Sequence, residues 1–341
     1  MRKNLIFLCL LTLFITHTYS QADSSFLYFQ KGTAEKNARR FREAEKNFTK
    51  ALQFSPENAP ANIELASVLM AQNRYAEARE KFLVAEKADA QNPVIIENLA
   101  TLSFNLRKWE EAIAYARKVQ QLNPARPVNY IIGKSFNEQE NYGEAIKYLD
   151  LAAKEDSARA DIPYTIARAY LDMSNYKKSA AYLEKAIGLD SSRNSWIYEC
   201  GLVFYAIPNY KKSLQFIELA GLKGYAKSND YLQNLGNAYI NTSQYDKGIE
   251  LYKEVLKKKP SDQELLYDVA SAYFKSGKYQ EAIDHWDIIL SSDKTNANVL
   301  YMIGLSYQKK GDKQKGQQLC DKAIEMDPSL NSLREKQGSA M

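Results

Sequence analysis

The sequence predicts an all-α fold made of about nine stacked helix-turn-helix units. Three observations predict this class: a period close to 34 residues, a small side chain at one position of every period, and an aromatic ring at another. Neither helix of such a unit buries its apolar stripe alone, so neighbouring units must stack to form a core. A composition of 45% hydrophobic and 26% charged residues excludes a wholly disordered chain.

The first 22 residues have the layout of a secretory signal peptide. Arg2 and Lys3 form a short positive region, Leu5–Ile15 is an apolar run without charge, and residues 16–22 are polar and small. The apolar run is too short to cross a bilayer as a helix, which needs about 20 residues. The alternative is a buried first helix or an uncleaved anchor.

Export therefore is the expectation, to the periplasm, the cell surface or the outside. Cleavage after Ser20 or after Ala22 would each leave a small residue at the cut. Cys9 lies inside the apolar run and not after it, so we expect no lipid anchor. We also expect no transmembrane segment in the mature chain.

Nine repeats fit the remainder of the chain, and we number the positions of each repeat as slots counted from its first residue. Their predicted bounds are 25–58, 59–92, 93–125, 126–159, 160–193, 194–228, 229–262, 263–296 and 297–330. Residues 23–330 thus form one predicted array. A polar tail of residues 331–341 follows it.

Small side chains define where the two helices of a repeat cross. Slot eight holds only glycine or alanine: Gly32, Ala66, Ala100, Gly133, Ala167, Gly201, Gly236, Ala270 and Gly304. Slot twenty, in the second helix, is also small in every repeat. Two helices approach to about 8 Å only where side chains are small, so these slots predict the crossings.

An aromatic ring recurs at slot seventeen, in the turn between the helices. It is present in eight repeats, as Phe41, Tyr75, Trp109, Tyr142, Tyr176, Tyr210, Tyr245 and Tyr279, and the ninth has Lys313. We expect this ring to fill the space beside the helix crossing.

This pattern resembles the tetratricopeptide repeat family, whose pattern is Trp-x₂-Leu-Gly-x₂-Tyr, then Ala-x₃-Phe, then Pro. Segments such as Leu235–Tyr239 and closing prolines such as Pro260 carry the resemblance, which covers residues 25 to about 330. It implies a right-handed α-solenoid with a concave groove in which ligands usually lie. The sixth repeat departs most, because Ile207-Pro208 should shorten its first helix and Gly221–Gly224 replaces the usual closing turn.

Motifs for catalysis are missing from the sequence. It contains no Gly-rich phosphate loop, no His-Glu-x-x-His and no Cys-x-x-Cys. Cys200 and Cys320 fall on packed faces more than three repeats apart, so we read both as small buried hydrophobes. We predict no enzymatic activity, no metal and no cofactor. The formal net charge of +5 falls by two without Arg2 and Lys3, and no Lys/Arg block marks a nucleic-acid face.

One face of each first helix remains outside the packing layer. Slots two, five, six, nine, twelve and thirteen lie nearly opposite the packing slots four, seven, eight and eleven, and we call them the inner face. Slot five holds tyrosine in five of nine repeats, although 24 tyrosines in 341 residues predict less than one. The candidate partner-binding residues are Asn98, Tyr130, Lys134, Tyr164, Arg168, Tyr198, Asn234, Asn237, Tyr267 and Tyr301.

Tyrosine and asparagine suit an extended segment or a helix lying in the groove. Tyrosine offers a rigid contact surface with a polar tip, and asparagine both donates to and accepts from a peptide backbone. We expect Tyr164, Tyr198 and Tyr267 to be partly exposed, and the turn residues Tyr142 and Tyr176 to be core. The competing interpretation is that slot-five tyrosines pack against the neighbouring first helix and serve only the solenoid.

Two functions follow from this face. The first is a non-enzymatic scaffold or adaptor that binds another protein outside the cytoplasm. The second is a carrier or chaperone-like receptor for short peptides or a polymer.

Overall fold

A computed structural model describes residues 23–333, and these residues form helices joined by short turns, with no strand among them. The chain divides into two compact units between Ser174 and Asn175. The predicted signal peptide and the last eight residues of the predicted tail lie outside the described residues. The all-α class and the helix-turn-helix repeat are confirmed.

The first unit is a row of helices in which neighbours in sequence pack against each other. Its helices are α1 (23–37), α2 (Phe41–Phe54), α3 (Ala59–Ala71), α4 (Tyr75–Ala88), α5 (Pro93–Asn105), α6 (Trp109–Leu122), α7 (Asn129–Glu138), α8 (Tyr142–Glu155) and α9 (Asp161–Asp172). Odd-numbered helices are the first helices of their repeats, and even-numbered helices are the second.

The second unit continues this numbering and has the same neighbour-on-neighbour packing. Its helices are α10 (Tyr176–Leu189), α11 (Asn194–Ala206), α12 (Tyr210–Leu222), α13 (Asn229–Asn241), α14 (Tyr245–Leu256), α15 (Gln263–Lys275), α16 (Tyr279–Ser292), α17 (Ala297–Lys310) and α18 (Lys313–Met326), followed by a 3₁₀ turn (Pro328–Leu330). No helix of residues 23–333 combines the length and apolarity needed to cross a membrane.

Short polar side chains fix where several first helices begin. The Asn58 side chain accepts a hydrogen bond from the Ala61 N–H at 3.0 Å, and Asp262 accepts one from Leu265 at 3.1 Å. Each bond satisfies a backbone donor that has no partner inside its helix. These caps set the start of α3 and α15, and so the register of their inner faces.

The turn inside each repeat contains a residue in the left-handed backbone region at slot fifteen. The residues are Arg39, Asn73, Arg107, Glu140, Ser174, Pro208, Ser243, Gly277 and Gly311. The next N–H then reaches back five residues, as from Arg74 to the Leu69 carbonyl at 2.9 Å. This bond closes the first helix and turns the chain into the second.

Glycine at slot eight lets the two helices of a repeat touch. A Cβ on Gly133 would lie 2.8 Å from Leu149 Cγ and 2.9 Å from the Leu149 backbone nitrogen. A Cβ on Gly236 would lie 2.6 Å from the ring of Tyr252. The first contact includes main chain, which a rotamer change cannot relieve.

The expectation that the slot-seventeen ring fills this crossing is wrong. The crossing is filled from slot twenty-four of the second helix, for example by Phe48 beside Gly32. The turn ring instead packs edge-on against an aromatic ring at slot twelve, as in the Phe104–Trp109 pair with ring centroids 5.7 Å apart. Slot seventeen is the first residue of its helix and therefore lies at the edge of the core. The expectation that Tyr176 is core is wrong, since this ring is 38% exposed, and Tyr142 is only half-buried.

The sixth repeat is regular where a shortened helix is expected. Its first helix, α11, has thirteen residues, the same length as α3, α5, α13 and α15. Pro208 lies beyond the helix end, where its missing N–H breaks no helical bond. The irregularity lies in the closing segment, where Gly224 has a φ of 85° and Leu222 is 84% exposed.

Candidate functional site

The slot-five tyrosines differ in exposure. Tyr130, Tyr164 and Tyr267 are half-buried, as expected for side chains that line a face. Tyr198 and Tyr301 are buried, at 8% and 1% exposed, so the expectation that Tyr198 is partly exposed is wrong. The packing interpretation fits these two residues, and their substitution would act first on folding.

Tyr130 in the first unit bridges two repeats. Its hydroxyl donates to Asp161 at 2.8 Å, and the Arg159 guanidinium lies 3.5 Å over its ring while pairing with the same carboxylate. Burial, followed by the hydrogen bond to Asp161, raises the pKa of Tyr130 to about 12. Although burial alone would raise it, hydrogen bonds from Arg159 and Tyr130 lower the pKa of Asp161. This carboxylate therefore stays ionised and fully engaged.

The other candidates in the first unit have partners on their own helices or lie toward solvent. The Asn98 amide donates to the Val94 carbonyl at 2.7 Å, and the Lys134 ammonium pairs with Glu138 at 3.0 Å. Arg168 is exposed on α9. The first unit thus presents a mixed, largely paired set of polar groups on its inner face.

Asparagine–tyrosine hydrogen bonds link α11 to α13 in the second unit. The Asn234 amide donates to the Tyr198 hydroxyl at 2.8 Å, and the Asn241 amide donates to the Tyr205 hydroxyl at 3.1 Å. In each pair the asparagine and the tyrosine are 36 residues apart in sequence. Each asparagine therefore bonds to a tyrosine that lies in the preceding repeat, one slot earlier. Tyr198 is also stacked on Tyr225 at 4.3 Å.

Asn237 lies between these two pairs on the same helix. Its Oδ1 accepts a hydrogen bond from the Tyr252 hydroxyl at 2.5 Å. The ring of Tyr252 belongs to the second helix α14 and fills the crossing beside Gly236. Its hydroxyl therefore contacts Asn237 from the side of the second helix. Burial raises the pKa of Tyr252, which keeps this hydroxyl protonated and able to donate.

Asp268, at slot six of α15, is a functional candidate that the sequence analysis did not select. It is half-buried, and within residues 23–333 no donor or cation is bonded to its carboxylate. Burial, reinforced by the charge of Glu264, raises the pKa of Asp268 above its ordinary 3.8. Asp268 shares slot six with Asn98 and Asn234. The repeat register alone therefore predicts that Asp268 lies on the inner face.

Sequence models described as "Tetratricopeptide repeat" match most of the chain. The matched residues are 29–93, 98–160 and 234–297 with one model, and 160–193 and 297–330 with another. The chain belongs to the tetratricopeptide repeat family. Members of this family are typically non-catalytic scaffolds that bind other proteins, and stacked repeats create the extended surface for that binding.

Two solved structures are similar to part of this chain. YrrB, described as a TPR protein with an unusual peptide-binding site, is 22% identical, with a TM-score of 0.45 over 57% of this chain and 100% of its own. MamA is 19% identical, with a TM-score of 0.44 over 51% of this chain and 96% of its own. No curated protein matches this chain.

An open cleft of about 620 Å³ adjoins the Asn241–Tyr205 pair of this tetratricopeptide repeat chain. It lies between the inner turns of the sixth and seventh repeats, and Tyr210, Lys211, Asn241 and Ser243 line it. The cleft therefore forms a recess beside the C-terminal end of α13.

The side chains suited to catalysis or metal binding lie apart. No group of three His, Cys, Asp or Glu in the described part of the chain could hold a metal ion. Cys200 and Cys320 are buried, as predicted, and neither is in a disulfide; burial raises the pKa of Cys200. His285 lies against the Tyr273 ring, with its Nδ1 2.8 Å from the Glu281 carbonyl oxygen.

Proposed function

We propose that this chain is a non-enzymatic scaffold outside the cytoplasm that holds a segment of a partner protein on the inner face of its first helices. The observation that carries the proposal is the asparagine stripe on α13, formed by Asn234, Asn237 and Asn241. Hydrogen bonds to tyrosines of neighbouring helices hold these three amides in place. Groups fixed before binding lose little conformational entropy when a partner arrives.

The stripe matches the spacing of an extended chain. Within the described residues, the Oδ1 atoms of Asn234 and Asn241 accept no hydrogen bond, so both can accept from a backbone N–H. Seven helical residues separate them, a rise of about 10 Å. Three residues of an extended peptide span about the same distance. Tyrosine rings beside the stripe supply the apolar contact.

The first experiment identifies the partner by chemical crosslinking and affinity capture from cells that make the protein. One dominant partner protein supports the scaffold. Many unrelated peptides would instead support the receptor for peptides or polymers, and repeated capture of neither would contradict the proposal.

We predict that Tyr267→Ala weakens partner binding more than folding. Truncating an aromatic anchor at an interface often costs about 2 kcal/mol, or about 30-fold in affinity. Tyr301→Ala is the matched control on the same slot, because truncating a fully buried ring costs about 3–5 kcal/mol of unfolding free energy. Melting temperature and affinity for the captured partner are measured for both. Equal loss of stability would show that Tyr267 is also core and would remove it from the binding surface.

The proposed location outside the cytoplasm rests on residues 1–22, which have the layout of a signal peptide. We predict that the mature chain begins near Gln21 or Asp23 and is recovered outside the cytoplasm. N-terminal sequencing of the native protein tests this. An intact Met1 in a cytosolic fraction would contradict it.

A further inference from the structure

We propose that the inner face of α11, α13 and α15 takes an extended peptide segment carrying a lysine or arginine, whose cation pairs with Asp268. This inference rests on the proposed function and names the chemistry of the partner. It starts from one group, a half-buried carboxylate to which no donor or cation is bonded within residues 23–333. A charge placed in such a site costs free energy unless it is paired.

None of the described groups around Asp268 is bonded to its carboxylate. Its charge reaches the hydroxyls of Tyr205, Tyr252 and Tyr267, and together with their burial it raises the pKa of all three. The Tyr252 hydroxyl donates to Asn237, and the Tyr205 hydroxyl accepts from the Asn241 amide. The base on its own helix, Lys275, is exposed and bonds to no acid in the described chain, and its charge only partly opposes the rise in the pKa of Asp268. A lysine or arginine of a bound segment would supply the donor that Asp268 lacks.

The charges of this face select the sign of the partner. The inner-face slots of the sixth to eighth repeats carry four acids, Glu199, Asp230, Glu264 and Asp268, and one base, Lys275. An acidic segment would be repelled here, whereas a lysine or arginine gains a charge-assisted hydrogen bond. A metal ion would need further ligands, and the described residues offer no group that could supply them.

The asparagine stripe and Asp268 divide the recognition between them. The stripe bonds to the backbone of an extended segment and is indifferent to its sequence. Asp268, on the next first helix, reads one side chain. The expected ligand is thus an extended segment with a basic residue at one required position. We therefore expect a sequence motif among the ligands and not non-specific peptide binding.

Selection from a phage-displayed library of random dodecapeptides on the full chain tests the proposal. We expect enriched peptides that share a lysine or arginine at one position, and we expect Asp268→Asn to abolish that preference. Glu254→Gln removes an exposed acid from α14, a second helix outside the inner face, and should leave the preference intact. For a selected peptide, Asp268→Asn should weaken binding at least about tenfold, and replacing the peptide lysine by norleucine should weaken it no further in that variant.

Each outcome decides a separate point. Enriched peptides without a basic position, or a preference that survives Asp268→Asn, would overturn the assignment of Asp268 and leave the scaffold standing. Failure of the wild-type chain to enrich any peptide would overturn both this inference and the proposed inner-face binding.

Stability gives a second readout that a structural role for Asp268 would not produce. A carboxyl whose pKa is raised by folding destabilises the folded state increasingly as the pH rises from its unfolded value through its folded value. Asp268→Asn should therefore raise the melting temperature at pH 7, and the gain should shrink as the pH falls toward 3.8. A lower melting temperature at pH 7 would show that the carboxylate stabilises the fold and would overturn its assignment to a ligand.

Discussion

Replacing Gly133 by leucine should unfold the fourth repeat locally. The Cβ alone would lie 2.9 Å from the Leu149 backbone nitrogen and 3.1 Å from the Ala145 carbonyl oxygen, so α7 and α8 must separate. Overpacking typically costs about 1–3 kcal/mol, and a clash with main chain places this substitution at or above the upper end. Because repeats contact mainly their neighbours, lost hydrogen-exchange protection should be confined to residues near α7 and α8.

Gly143→Ala is the matched control on α8. A Cβ there would meet nothing within 4 Å, so the substitution adds helix propensity without a clash and should stabilise the protein by up to about 1 kcal/mol. If hydrogen exchange in both variants is the same as in the wild type, slot eight is not a tight crossing.

Glycine at slot fifteen should stabilise the array by several kcal/mol in total. Five turns hold an ordinary side chain in the left-handed region: Arg39, Arg107, Glu140, Ser174 and Ser243. That conformation costs such a residue about 1–2 kcal/mol, and the extra chain entropy of glycine offsets part of the gain. We expect about 0.5–1 kcal/mol for each site and near-additive effects, since each substitution acts on the backbone of its own turn. Denaturant unfolding of the five-fold glycine variant measures the sum.

The reverse substitution supplies the control. Gly277 and Gly311 occupy the same slot, and a Cβ on either would meet nothing within 4 Å, so Gly277→Ala isolates the backbone cost. It should lower stability by about 1 kcal/mol. Asn73→Gly should change little, because asparagine tolerates this region. A five-fold variant that is no more stable than the wild type would contradict the left-handed turn.

The repeat sequence predicted the helices, because the 34-residue period carries both the small crossing slots and the apolar stripes. It did not reveal the left-handed turn, since Arg39 and Glu140 occupy a position where glycine would have been the recognisable residue. It also misplaced the turn ring, because periodicity shows that a ring recurs and not which neighbour it contacts. The ring beside Gly236 comes from Tyr252, sixteen residues later.

The candidate site was predictable only in outline. A helical wheel places every slot-five tyrosine on one face, but exposure depends on what the neighbouring segment adds. Tyr198 is buried because Tyr225, in the irregular closing segment of the sixth repeat, stacks on it at 4.3 Å. The sequence places an aspartate at position 268 on the inner face. Whether a described group bonds to its carboxylate depends on which hydroxyls and cations the fold brings near it.

Site-specific photocrosslinking tests most directly the claim that the inner face binds the partner. The residue p-benzoylphenylalanine is placed at Asn241, exposed on the inner face of α13, or at Ile288, which is 52% exposed on the second helix α16. Both variants are irradiated in the cells that make the protein. We predict one dominant adduct from position 241 and none from position 288. The same adduct from position 288 alone, or none from position 241 while the partner still co-purifies, would contradict binding on the inner face.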